Sequence, residues 1–288
     1  MKKHIGIIGG GAAGMMAAVT AARKGTKVTI LERNDRIGKK ILQTGNGKCN
    51  LGNRNLTVEC YHGGDAAWIK QALERFGTED TVCFFQKIGL LIKEKNGYLY
   101  PVSEQAASVL DVLRYELQTL GVEIIYGCKV QKVERTLSGK LAVNDGDREW
   151  QFDAVILACG GKAAPGTGSD GSGWKIAKKA GHTCIAPVPA LVQLRCLETD
   201  LLKGIAGVRA DSRVRIRETD VERGELQLTE YGISGIPIFQ LSRDVNYLLR
   251  DRKTVMAEID FLPDMTEESY ENMKETRRML QEKRTAEE

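Results

Sequence analysis

The chain has few groups that bind metals or form disulfides. Its seven cysteines are odd in number, and none is spaced Cys-x-x-Cys with another. This argues against a disulfide framework, a zinc ribbon and a thioredoxin-type redox pair. The three histidines, His4, His62 and His182, are scattered and suggest no metal site. No apolar run approaches the roughly 18 residues needed to span a membrane. The N-terminus runs directly into an apolar segment without a signal-peptide pattern. A net charge of +4, dispersed along the sequence, supplies no basic stripe for nucleic acid. Spacing reveals no internal repeat and no Ser-His-Asp or paired-carboxylate constellation. The expectation is a cytoplasmic protein with reduced cysteines and neither a membrane nor a nucleic-acid partner.

At 288 residues, with 42% hydrophobic and 28% charged content, the chain is long enough for one large domain or two. Its first thirty-two residues carry the strongest pattern. His4 to Ile8 reads as a buried strand, followed by Gly9-Gly10-Gly11-Ala12-Ala13-Gly14. An alanine-rich helix to Lys24 ends at Gly25, and a second strand, Lys27 to Leu31, leads to Glu32. This is the dinucleotide-binding unit, with Gly-x-Gly-x-x-Gly after a strand and an acid at the end of the next one. Gly9 permits the turn, Gly11 lets a pyrophosphate approach the backbone, and Gly14 lets helix and strands pack closely. Ala12 and Ala13 stand at the helix N-terminus, whose free N–H groups and dipole favour phosphate. Glu32 accepts ribose hydroxyls and repels a 2′-phosphate, which favours FAD or NAD over NADP.

Beyond Glu32 a basic loop begins at Arg33, followed by the polar, glycine-rich loop Gln43 to Asn50, suited to phosphates or a flavin edge. Helices are expected over residues 66–76 and 79–88, a hairpin turning at Asn96-Gly97, and a helix from Ser103 to Leu120. Three β segments follow, at Glu123 to Val133, Lys140 to Val143 and Glu149 to Phe152. The apolar strand from Ala154 through Ala158 to Cys159 then ends in Gly160-Gly161, at the sheet edge where ligands bind. This meander favours FAD over NAD. Gly166, Gly168 and Gly171 repeat the glycine spacing, but no strand enters directly, so they read as a loop over the first site. From Ala190 to about Leu262 short alternating strands are expected, among them Val208 to Glu218. The expected organisation is an FAD-binding domain over 1–189 with a helical and hairpin excursion at 60–105. A β-rich domain spans 190–263, and a charged helical tail, the cut-short start of a helical domain, spans 264–288.

Several segments together resemble the bacterial BaiN/RdsA-type (YhiN-like) NAD(P)/FAD-dependent oxidoreductases. They are Ile7 to Gly14, Gly38 to Asn50, Leu157 to Lys162, Gly168 to His182 and Gly224 to Pro237. The second and last are the most specific to that family. The resemblance implies an α/β, Rossmann-like FAD-binding domain of glutathione-reductase type with an inserted β-rich, barrel-like domain. It suggests FAD contacts at Lys40, Gly45, Asn46, Lys48, Cys49 and Asn50 and at Val130, in addition to Glu32 and the glycines. The candidate cofactor-binding residues are therefore Gly9, Gly11, Ala12, Ala13, Gly14, Glu32, Arg33, Lys40, Gly45, Asn46, Lys48, Cys49, Asn50, Val130, Ala158, Gly160 and Gly161.

The implied activity is hydride transfer through flavin between NAD(P)H and a small organic acceptor of unsaturated 3-oxo steroid or bile-acid type. NAD(P)H would dock directly on the flavin, because the chain has no second strand–glycine–helix unit. Cys49, beside Lys48 and glycine N–H groups that would lower a thiol pKa, and Tyr231 are the candidate reactive side chains, each weighed against a structural role. The family pattern continues past residue 288 to a glycine-rich FAD segment, so the chain is expected to be truncated. The alternative expectation is a non-catalytic nucleotide-binding or interaction fragment.

Overall fold

A computed structural model describes residues 2–216 and 221–287, with side chains as far as residue 281. The chain divides into two compact units, residues 1–184 and 185–288.

The first unit is built on a four-stranded parallel sheet in the order Ala154–Leu157, His4–Ile8, Lys27–Leu31, Glu123–Ile125. Its central strands are short β-branched and leucine runs, as expected of strands covered on both faces. Neighbouring residues point to opposite faces. Ile7 and Ile30 accordingly join one core with Met15, Ala18 and Val19 of the helix Ala12–Arg23 and with Leu110, Leu113 and Leu117 of the helix Ala106–Thr119. Ile8 and Leu31 join another core with Val143 and Phe152. Those two residues come from a three-stranded antiparallel sheet of Lys132–Arg135, Leu141–Asn144 and Glu149–Phe152.

The segment Glu123 to Val133 is not one strand, as the sequence suggested. Glu123–Ile125 ends the parallel sheet and Lys132–Arg135 begins the antiparallel one. The break falls at Gly127, whose φ of +62° turns the chain, while Cys128 N–H donates to the Glu32 carbonyl. The excursion holds helices Ala66–Arg75 and Thr78–Lys87 and the hairpin Ile92–Lys95/Tyr98–Pro101. Asn96 and Gly97 both have positive φ, as a two-residue hairpin turn of this hand requires.

The second unit carries a five-stranded antiparallel sheet in the order Leu194–Arg195, Gly232–Gly235, Val221–Thr229, Arg209–Ile216, Ala257–Asp260. Residues 217–220, where the expected strand Val208 to Glu218 ends, lie outside the described residues, as does residue 288 of the expected tail. One expectation is corrected here: Ile236–Asp251 is a 16-residue helix, not short strands. Pro237 occupies its first turn, where a missing N–H costs nothing. Ile238, Leu241 and Val245 recur at helical spacing and pack on Val214, Ile216, Leu226 and Leu228 of the sheet. The charged segment Glu267–Glu287 is helical. Among the described residues, no helix is long and apolar enough to cross a membrane.

A polar chain links three of the parallel strands, from the first residues of His4–Ile8 and Glu123–Ile125 to the middle of Lys27–Leu31. Thr29 Oγ1 donates to Glu123 Oε2 at 2.8 Å and lies 2.8 Å from His4 Nε2. The threonine has a single proton and spends it on the carboxylate, so the histidine must be the donor in the other bond. Burial pushes the His4 pKa down, with the Lys27 charge adding to it. The unfolded chain therefore takes up this proton more readily than the folded one. The contribution of neutral His4 is present above the ordinary histidine range and is lost as pH falls through it. In urea titrations, Thr29→Val should lower stability by about 1–2 kcal/mol, as expected for a buried hydrogen-bonded hydroxyl. His4→Gln should flatten the loss of stability between about pH 7 and pH 5; an unchanged pH slope would exclude this role.

Candidate nucleotide-binding site

The glycine turn is shaped by close backbone contact. Gly9 sits at φ +108° and donates its N–H to Leu31 O at 2.9 Å, so the turn continues the pairing between the two strands. A Cβ on Gly14 would collide with the Gly9 carbonyl oxygen, which is why the helix can start so near the strand. Gly11 differs from both: a Cβ there would meet nothing within 4 Å among the described residues. Its freedom from protein contact, together with its place in the cavity wall, makes it the point where a ligand can reach the backbone. Among the described residues, no side chain caps the helix that follows. Its first N–H groups and positive dipole end are thus available to an anion.

These residues line a cavity of about 490 Å³ at the carboxyl ends of the parallel strands, within the usual size of cofactor and ligand pockets. Gly9, Gly11, Ala12 and Ala13 form one wall, and Glu32, Arg33 and Lys40 follow from the end of the second strand. Val130, Ala158 and Gly160 complete the set of expected residues that the fold brings together. The loop after Gly160 also contributes Thr167, Gly168, Ser169 and Ser172, in line with the reading of that glycine-rich stretch as a cover over the first site.

Other expected residues lie outside this lining and make contacts within the protein. Gly14 is used for packing. Gly161 accepts the Gly171 N–H through its carbonyl, within the cover loop. In the 43–50 loop, Thr44 lines the cavity, whereas Gly45, Asn46, Lys48, Cys49 and Asn50 do not. Asn50 Oδ1 caps the Gly52 N–H at 2.9 Å, and Lys48 Nζ pairs with Glu104 at 2.6 Å. Glu104 also receives Lys93, and the two lysines bring its carboxyl down to about 2. Cys49 is buried in the core, and burial raises its thiol pKa, against the lowering that its lysine and glycine neighbours suggested. The lysine charge that was to activate it is turned toward Glu104. Tyr231 lies in the second unit, where its hydroxyl accepts from Gln193 Nε2 at 2.6 Å and Arg195 stacks on its ring.

Glu32 is only 5% exposed, yet it lines the cavity. Its Oε2 accepts the Gly10 N–H at 2.7 Å, and its Oε1 accepts the Asn34 N–H at 2.8 Å and Asn34 Nδ2 at 2.7 Å. Three donors thus fix the carboxylate: both acceptor sites of Oε1 are filled, and Oε2 keeps one for a ligand hydroxyl. The 33–40 loop is also tied to the cover loop. Arg33 pairs with Asp170 at 2.6 Å, Asn34 Nδ2 reaches Thr167 O at 3.3 Å, and Lys40 Nζ reaches Ala163 O at 2.8 Å. Ser172 and Arg33 hold the Asp170 carboxyl far below the usual carboxylate range.

Sequence reasoning missed Asn34, Arg36, Lys39, Cys128 and Lys129 in the cavity wall. The only local signal was proximity: three of them follow Glu32 closely and two precede Val130. The two wall cysteines are poor nucleophiles. Burial, followed by the Asp145 charge, pushes Cys128 up to about 12. Burial, followed by Glu32 and Asp170, pushes Cys159 up to about 11.

Residues 3–243 match the model of the HI0933-like protein Rossmann domain, and the chain belongs to that family. Over 268 residues it is 47% identical to the 3-dehydro-bile acid delta(4,6)-reductase of Clostridium scindens, covering 91% of this chain and 65% of that protein. It is also 32% identical over 265 residues to the ribosomal RNA dihydrouridine synthase of Haemophilus influenzae, covering 90% of this chain and 64% of that one. With the Escherichia coli protein of the same name it shares 28% identity over 269 residues, 92% of this chain and 65% of that one. The chain thus spans just under two thirds of the length of these relatives.

The thiol environments make a labelling prediction. In the folded protein at neutral pH, iodoacetamide should modify the exposed Cys60 and Cys83 first and leave Cys49, Cys128 and Cys159 largely unmodified. Peptide mass spectrometry over a time course measures this order. Early labelling of Cys49 would restore it as a reactive group.

Proposed function

We propose that the chain is the nucleotide-binding part of an FAD-dependent oxidoreductase that uses NAD(P)H to reduce a small organic acceptor. The observation that carries this reading is the convergence on one cavity of an uncapped helix N-terminus, an open Gly11 and a fixed, buried carboxylate. The residues fit FAD. The space at Gly11 and the N–H groups of Ala12 and Ala13 suit its pyrophosphate, and Glu32 suits a hydroxyl of its adenosine ribose. Bound flavin would supply the hydride chemistry, and the protein would supply binding, orientation and exclusion of water. Arg36 and Lys40 would neutralise phosphate charge at the cavity, whereas Arg33 and Lys39 are already paired with Asp170 and Asp35.

The acceptor class follows from similarity. The 47% identical relative is named a bile-acid reductase, so an unsaturated 3-oxo steroid-like ring is the acceptor we propose. Relatives named for ribosomal RNA stand at lower identity, 32% and 28%. Charge supports the small-molecule reading. On the second unit's sheet, Arg209 pairs with Glu225, Arg213 with Asp260, and Arg223 with Asp211 and Asp264. Arginines already matched to acids give a nucleic-acid backbone little to neutralise.

An absorbance spectrum of the purified chain with added FAD tests the reading. A flavin band that stays with the protein through gel filtration, and bleaches with NADH or NADPH, is the expected result. Gly11→Val should abolish retention by filling the space at the turn, with little change in the melting temperature. A chain that folds but takes up no FAD would overturn the assignment of this cavity. Salt-dependent RNA binding would favour the RNA-modifying relatives instead.

A further inference from the structure

Asn34 occupies an unusual place in the cavity wall. Its backbone N–H and its side-chain amide both donate to the same oxygen, Glu32 Oε1, at 2.8 and 2.7 Å. The same Nδ2 reaches the Thr167 carbonyl at 3.3 Å. A carboxylate oxygen and a carbonyl oxygen only accept, so both amide protons are spent and the amide has one possible orientation. The backbone is fixed as well, because the Asn34 carbonyl accepts the Gly127 N–H at 3.2 Å. Gly168 lies so close that a Cβ there would sit 2.7 Å from Asn34 Nδ2. One residue therefore connects the acid at the end of the second strand, the cover loop and the turn that ends the parallel sheet.

We propose that Asn34 is a positioning residue that sets the selectivity of Glu32 for a ribose bearing a free 2′-hydroxyl; this rests on the FAD reading above. The Gly10 N–H holds Oε2, and Asn34 holds Oε1, so the carboxylate cannot rotate about its terminal bond. Its one remaining acceptor site, on Oε2, is then fixed in direction beside the cavity that Glu32 lines. A ribose 2′-hydroxyl meets it without reorganisation, and selectivity for a hydroxyl is largest when the group reading it is buried and already oriented. Without the amide, Oε1 keeps one of its two donors and the acid gains rotational freedom. With aspartate in its place, a second carboxylate would stand against Glu32, and like charges at this separation repel.

The experiment is a titration cycle on the full chain, following flavin fluorescence, with two ligands and three proteins. The ligands are FAD and the FAD analogue lacking the adenosine 2′-hydroxyl. The proteins are wild type, Asn34→Asp and Asn34→Ala. Wild type should bind FAD more tightly than the analogue. Asn34→Asp should lose on the order of tenfold or more in FAD affinity, and the ratio between the two ligands should collapse toward one. Asn34→Ala, which keeps the backbone N–H, should fall between. Weakening of both ligands by the same factor, with the ratio retained, would make Asn34 merely structural and overturn the proposal. Unchanged binding, or melting curves in which neither variant folds, would overturn it equally. A wild type that binds both ligands alike would sink the Asn34 inference and leave the FAD reading standing. A wild type that binds neither would remove both.

Discussion

The helix Ala12–Arg23 approaches the strand His4–Ile8 at a distance that only glycine at position 14 allows, because any side chain there would strike the Gly9 carbonyl. The rest of the first unit depends on that contact. It sets the helix N-terminus at the carboxyl edge of the parallel sheet. It turns Met15, Ala18 and Val19 into the core while Gly11, Ala12 and Ala13 border the cavity. A helix displaced by the width of a methyl group would carry its N–H groups away from Glu32 and loosen the packing of the buried face. Close-packed interiors do not absorb such shifts cheaply. The opposite face has a matching device: Gly6 leaves room for the Phe152 ring, which a Cβ would strike.

Glu32 is the second fixed point, and it is held from two directions by its own turn and its own loop. The Gly10 N–H anchors it to the glycine turn and Asn34 anchors it to the chain that follows. Arg33, Asn34 and Lys40 then carry this order across to the cover loop through Asp170, Thr167 and Ala163. Exposed ion pairs contribute little singly, but these contacts act together on one short loop. Their effect is to limit where residues 163–170 can lie.

The parts of this arrangement that sequence disclosed are those with local causes. Gly9, Gly11, Gly14 and Glu32 are linked by a single strand–helix–strand unit whose spacing is its own evidence. The Asn96-Gly97 hairpin is legible for the same reason. Glu123 to Val133 was misread as one strand because β-propensity runs almost unbroken through it, and a single glycine decides the turn. Ile236–Asp251 was missed because its preceding residues alternate like a strand, while the pattern Ile238, Leu241, Val245 needs the sheet beneath it to show which face is buried. The 43–50 loop depended on partners far along the sequence. Lys48 turns to Glu104, and nothing near Lys48 announces that acid.

The thiols bear on what kind of chemistry the cavity can support. Cys128 and Cys159 stand in its wall, and an unburied thiol in such a place would invite a covalent mechanism. Desolvation disfavours the thiolate at both, and at Cys159 the charges of Glu32 and Asp170 disfavour it further. The same carboxylate that lines the cavity therefore suppresses a nucleophile beside it. Cys49, removed to the core, is raised by burial as well. A cavity whose anionic group is fixed, whose cationic side chains gather near an uncapped helix and whose sulfurs stay protonated is suited to holding a charged ligand, not to attacking one. That division of labour, in which the ligand carries the reactivity and the chain carries the orientation, is what a cofactor-dependent site requires.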